Sequence, residues 1–155
     1  MLVSSQTVNL RRAGASDIAD MSQLFMFYSG RDISANLQQY IDQYPAALAE
    51  IEGRIVGFAY SRTFAPDVLE LLNIFVKQDC QNSGLGSKLL RFFESLAFDH
   101  YQGVVAVNSL LYASARNKRF ASNFYLKNQY DTILTTENSR IYAKQRNAVD
   151  EPGTM

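Results

Sequence analysis

The chain has 155 residues, 47% of them apolar, enough to bury one substantial core and too few for two independent domains. Fifteen Lys and Arg balance 15 Asp and Glu, which argues against a general electrostatic affinity for nucleic acid or an anionic membrane and in favour of a discrete small-molecule or peptide partner. Cys80 is the only cysteine, so no internal disulfide forms and a reducing cytoplasm is the expected setting; no stretch approaches the roughly 20 apolar residues of a membrane-spanning helix.

Val8 to Arg12 reads as a first strand, after which Ser16 and Asp17 supply capping chemistry for an apolar-periodic run through Ile18, Met21, Leu24, Phe25 and Tyr28. Gly30 interrupts this helix. Ser34 is placed to cap a second one carrying Leu37, Tyr40 and Ile41, which Pro45 closes off. Ala46 to Ile51 and Arg54 to Thr63 flank Glu52-Gly53, the pattern of a tight hairpin, and Val68 to Val76 follows as a further strand. The period then changes. Leu85, Leu89, Leu90, Phe92, Phe93, Leu96 and Ala97 fall at three-to-four spacing and predict a helix from about Gly84 to Phe98. Gly103 to Leu110 is another apolar strand, Lys118 to Asn128 a helix, and Tyr130 to Thr135 with Arg140 to Ala143 a closing hairpin. The order βααβββαβαββ describes one α/β domain with a mixed sheet over residues 1–146, and residues 147–155 read as a flexible tail.

The most informative stretch is Ile74 to Ser87, where a buried strand passes through a polar loop into a helix. Gly84 and Gly86 let a ligand approach the backbone, and the first amides of a helix lack intrahelical acceptors, so the loop is built to face an anion. A Walker loop would need a lysine after its second glycine and a dinucleotide fingerprint a third glycine; neither is present. Gln81, Gly84 and Gly86 instead match the pattern Gln/Arg-x-x-Gly-x-Gly/Ala, and the segment resembles the coenzyme A pyrophosphate loop of the GNAT superfamily of N-acetyltransferases. Lys118 to Tyr130 is similar to that family's Asn-x-x-Ala-x-x-Phe-Tyr-x-x-x-Gly-Phe helix. Ala121, Phe124, Tyr125 and Tyr130 match in register, while Lys118 stands for the usual Asn and Gln129 for the usual Gly. The resemblance covers about Val8 to Ala143.

It implies acetyl transfer from acetyl-CoA to a primary amine by direct attack in a ternary complex, with no metal, and a fourth strand splayed from the fifth. It also implies a cofactor site made by Ile74, Val76, Gln81, Asn82, Ser83, Gly84, Leu85, Gly86 and Ser87, with Asn117 in place of the missing Asn contact. Within that site the amide of Ile74 is the implied donor to the thioester carbonyl, and Val76 the contact to the pantetheine arm. Glu70, six residues before Val76, shares a face with Leu72, Ile74 and Val76 by strand alternation. The resemblance makes Glu70 a general base, the other reading being a solvated carboxylate at a strand start. Tyr125 is the implied proton donor to the departing thiolate, against an aromatic that simply packs in the core. Asn73 reads as a satisfied polar group in an apolar strand. A Cys80–His100 dyad is excluded by the intervening helix, about 15 residues at about 1.5 Å each.

Tyr28, Arg31, Asp32, Tyr40 and the Thr135 to Arg140 turn are the implied acceptor-selecting residues. Asp32 suits a cationic amine and Arg31 a carboxylate, unless both are simply solvated. The competing function is a coenzyme A-binding regulatory module without turnover. A homodimer is the expected assembly.

Overall fold

The computed structural model describes residues 7–81, 83–109 and 123–147. Its elements are β1 (Val8–Arg12), α1 (Ile18–Ser29), α2 (Ser34–Tyr40), β2 (Ala46–Ile51), β3 (Arg54–Ala65), β4 (Val68–Val76), α3 (Leu85–Ala97), β5 (Gly103–Ser109), β6 (Asp131–Thr135) and β7 (Ser139–Gln145). Residues 123–127 are helical. The strands form a seven-stranded mixed sheet in the order β1-β2-β3-β4-β5-β7-β6. Pairs β1–β2, β2–β3, β5–β7 and β6–β7 are antiparallel, and β4–β5 is parallel. Asn82, Leu110, Asn117, Lys118, Ala121 and the tail from Ala148 lie outside the described residues. Two units divide the chain: Met1–Arg62 with Leu72–Leu96, and Thr63–Leu71 with Ala97–Met155.

In the first unit, Glu52 (φ 53°) and Gly53 (φ 75°) both take left-handed backbone, as a two-residue hairpin turn between β2 and β3 requires. The apolar spacing of α1 and α2 then finds its partner. Met21, Phe25, Leu37 and Ile41 pack against Leu48, Phe58 and Tyr60 of the sheet, each such burial contributing about 1.5–3 kcal/mol. The opposite face carries α3. A Cβ on Gly57 would stand 2.8 Å from the Phe75 carbonyl oxygen, 3.3 Å from Val76 Cγ2 and 3.4 Å from Leu89 Cδ2. Glycine is therefore what lets β3 approach β4 beneath α3.

The entry to α1 is organised differently from the sequence expectation. Asp17 is buried, and its carboxylate accepts from the Gly14 amide at 2.9 Å and from both terminal nitrogens of Arg11 at 2.8 and 3.0 Å. Arg11 also reaches Glu50 at 3.0 Å, so one guanidinium ties β1 to β2 and to the start of α1. Hydrogen bonds from Arg11 hold the Asp17 carboxyl below its ordinary value, against the opposing effect of burial. A carboxylate with a depressed folded pKa contributes stability above its unfolded value, near 3.9, and that stability is lost as pH falls through the folded value. Asp17→Asn should therefore lower the melting temperature at pH 7 and flatten its decline below about pH 4, in melts across the acid range. At α2 the N-cap position is held by Ile33, not by Ser34. Asp32 Oδ1 accepts the Ser34 amide at 2.9 Å, because Ser34 is itself the first helical residue.

In the second unit, Val68–Leu71 of β4 pair with Gly103–Ala106 of β5, and β5 pairs along its length with β7. Tyr142 of β7 stacks on Tyr125 with centroids 4.7 Å apart and planes at 24°, and Tyr130 meets Tyr125 edge-on at 5.4 Å. The helix that carries Tyr125 ends through a left-handed residue, Gln129 (φ 67°). This is the position where the family pattern places glycine. A non-glycine side chain there costs about 1–2 kcal/mol, partly offset because glycine loses about 0.5–1 kcal/mol more entropy on folding. Gln129→Gly should therefore stabilise the chain by about 0.5–1 kcal/mol, a rise of roughly 2–3 °C in calorimetry.

Among the described residues no helix is long and apolar enough to cross a membrane. No group of three or more His, Cys, Asp or Glu is gathered for a metal ion among them either.

Candidate active site

The loop after β4 is tied at both ends by its own residues. The Lys77 amide donates to the Val56 carbonyl at 2.8 Å, fixing the loop to β3, and Gln78–Cys80 close a 3-10 turn. Gln81, expected to face a pyrophosphate, donates its side-chain amide to the Val76 carbonyl at 2.8 Å. It braces the strand end. Ser83 Oγ donates to the Cys80 carbonyl at 2.6 Å, and Gly84 then turns into α3 with φ 80°. Nothing lies within 4 Å of a Cβ built on Gly84, so its conformation, not crowding, calls for glycine, and space is left on that side for a ligand.

The first α-helical bond of α3 runs from the Lys88 amide to the Gly84 carbonyl at 3.1 Å. The amides of Leu85 and Gly86 therefore have no acceptor within the helix, and the macrodipole adds partial positive charge at that end. Leu85 is buried and anchors the turn, Gly86 and Ser87 are half-buried, and Ser83 and Gly84 are exposed. A helix start of this kind leaves two backbone amides able to donate to an anion.

β4 departs from strict alternation. Leu72 and Phe75 both pack against the α1–α2 cluster, whereas Val76 lies beside Gly57 and Leu89 on the other side of the sheet. The even-numbered run from Glu70 to Val76 thus does not keep to one face, as regular alternation had predicted; an irregularity of the bulge type has this effect. Among the described residues, pairing of β4 with β5 ends at Leu71–Ala106. Leu72–Val76, which includes Ile74, runs on without a β5 partner. Asn73 donates to the Tyr60 hydroxyl at 3.2 Å, the satisfied polar group expected.

Glu70 is half-buried on β4 opposite Val105. Tyr125 is 6% exposed, and burial, with Tyr142 alongside, pushes its hydroxyl well above the ordinary tyrosine range. The phenol is held in its protonated form. Cys80 is half-buried, and burial together with Asp79 raises its thiol, the opposite of an activated nucleophile.

Beside Tyr28, the end of α1 carries two exposed apolar residues, Met26 and Phe27, that no motif marks. Met26, Phe27 and Tyr28 are 44%, 79% and 38% exposed. Phe27 meets Tyr28 edge-on at 4.9 Å, Tyr28 meets Phe75 at 5.8 Å, and Phe75 continues to Phe25 and Phe58 at 5.5 and 5.7 Å. A ladder of rings thus runs from solvent to the end of β4. Three consecutive large apolar residues at a helix terminus, outside the core-facing stripe, were the available signal.

A family model described as an acetyltransferase (GNAT) domain matches residues 42–132. No curated protein matches the chain significantly in sequence. Solved structures do match in fold. A GNAT-family acetyltransferase from Bacillus cereus superposes with a TM-score of 0.74 at 17% identity, covering 91% of this chain and 99% of that one. The ribosomal-protein-S18-alanine N-acetyltransferase from Escherichia coli gives 0.73 at 16% identity, covering 90% and 94%. The yncA protein from Salmonella typhimurium, determined with acetyl-CoA, gives 0.72 at 15% identity over the same shares.

Proposed function

The chain belongs to the GNAT acetyltransferase family, and from that premise we propose that it transfers an acetyl group from acetyl-CoA to a primary amine by direct attack in a ternary complex. The observation that carries this reading is the cradle after β4. Gly84 in left-handed backbone leads into a helix whose Leu85 and Gly86 amides lack intrahelical acceptors, and the open side of Gly84 fits a pyrophosphate.

Acetyl-CoA, when bound, supplies the activated acetyl group and a thiolate leaving group. The amides of Leu85 and Gly86 hold the diphosphate, with Ser83, Gly84 and Ser87 lining the same turn. Gln81 acts one step removed, by holding the Val76 end of β4 in place. The backbone of Ile74 and Val76, in the β4 segment beyond the β5 pairing, is available for hydrogen bonds in the manner of an added strand, with the Ile74 amide donating to the developing oxyanion. Glu70 takes the proton from the attacking amine, and Tyr125 donates a hydrogen bond to the departing sulfur. The raised thiol of Cys80 supports direct attack over an acyl-enzyme.

The test is release of free coenzyme A thiol from acetyl-CoA across a panel of primary amines, with calorimetry of coenzyme A binding alongside. Amine-dependent release is the expected result. Binding without release for every amine would reduce the protein to a coenzyme A-binding module.

A further inference from the structure

Resting on the transferase reading above, we propose that the acceptor is a small amine bearing a carboxylate and an apolar or aromatic side chain, of the α-amino acid class. Arg31 holds the carboxylate, and Phe27 and Tyr28 receive the side chain.

The α1–α2 connection carries two opposite charges, and the structure separates their tasks. One oxygen of the Asp32 carboxylate, Oδ1, accepts the Ser34 amide at 2.9 Å, and this bonding draws its pKa below the ordinary value. That bond orients Asp32 towards the first residue of α2. Arg31 is exposed, and its guanidinium rests over the Phe25 ring at 5.2 Å. Among the described residues no carboxylate pairs with it. The connection therefore offers an anion a planar, five-donor cation oriented by the ring beneath it.

The exposed rings share the same base. Phe25, on which Arg31 rests, is 5.5 Å from Phe75, and Phe75 carries Tyr28, which carries Phe27. The cation and the exposed rings thus flank one aromatic cluster. That cluster ends on Phe75, the residue after Ile74 in the β4 segment where the proposed attack takes place. A ligand with an anionic end and an apolar end satisfies both features together. A polyamine would meet like charge at Arg31.

The experiment compares thiol release with L-phenylalanine, L-phenylalaninamide and spermidine as acceptors, in the wild-type chain and in Arg31→Gln and Phe27→Ser. Both side chains are exposed, and melting temperatures check that the variants fold. Wild type should prefer phenylalanine to its amide by at least about tenfold in kcat/KM, the scale of one charge-assisted bidentate contact. Arg31→Gln should bring that ratio close to one, with the loss appearing in KM. Equal use of acid and amide by wild type overturns the proposal, as does preference for spermidine or a ratio that survives in Arg31→Gln. Should Phe27→Ser convert a dimer to a monomer in size-exclusion chromatography with unchanged kinetics, the rings serve a second copy of the chain and the proposal falls. Absence of release with every amine, while coenzyme A still binds, sinks the transferase reading and this one together, and so is distinguishable from a failure of specificity alone.

Discussion

Glu70→Gln is expected to lower kcat by about 10²- to 10⁴-fold at neutral pH, the usual contribution of a positioned general base. The amide has the shape of the carboxylate and still accepts a hydrogen bond, but it cannot take the amine's proton. Glu70 sits half-buried within the paired part of β4, opposite Val105, where the substitution leaves the backbone pairing intact. An alkyl amine is mostly protonated at neutral pH, so raising the pH supplies free nucleophile and should narrow the gap between variant and wild type. Superimposable pH–rate profiles for the two proteins would return Glu70 to a solvated strand carboxylate.

Tyr125→Phe should reduce kcat by roughly 10- to 100-fold while leaving the melting temperature and coenzyme A affinity nearly unchanged. The ring stacked on Tyr142 at 4.7 Å and edge-on to Tyr130 is retained in phenylalanine, so packing survives the change. Burial has raised the phenol well above its ordinary value, which makes it a reluctant acid. Its contribution is better described as a hydrogen bond to the developing thiolate than as early proton transfer, and a bond to a charged acceptor is worth about 1.5–3 kcal/mol. The raised value also means that no alkaline decline below about pH 10 should come from Tyr125, since the phenol keeps its proton throughout. A variant that loses stability and keeps its turnover would identify Tyr125 as a core hydroxyl instead.

What could be read from the residues alone divides along physical lines. Local signals survived. Glu52-Gly53 adopts the paired left-handed conformations its residue types suggest, and the change of period after Gly84 marks α3 to within a residue at either end. The parallel β4–β5 pair and the mixed sheet follow from strand and helix order, which connection rules constrain strongly. What stayed hidden depends on partners distant in sequence or on backbone irregularity. The face change between Leu72 and Val76 leaves no mark in a run of apolar strand residues. Gln81 was legible as part of a motif, yet its bond to the Val76 carbonyl is a matter of loop geometry. Asp17 reads as a helix cap from its position, while its pairing with Arg11, which Glu50 shares, appears only once β1 and β2 lie side by side. At Gln129 the departure from the family's glycine was visible as a letter, and its meaning, a strained left-handed residue, needed a dihedral angle.

The boundary between the two units falls inside β4, after Leu71, and this has a bearing on how the chain is made. Every residue of the first unit has been synthesised once Leu96 is in place. β4 lies beside β3 on one side, but on the other Val68–Leu71 pair with Gly103–Ala106, and these pair in turn with Tyr142–Gln145 of β7. On a ribosome adding about 5–20 residues per second, one half of β4 can be embraced early while the other half waits. A nascent chain stalled after α3 would present Leu69 and Leu71, both buried in the finished protein, on a strand still lacking β5. That is the kind of apolar edge on which holding chaperones act.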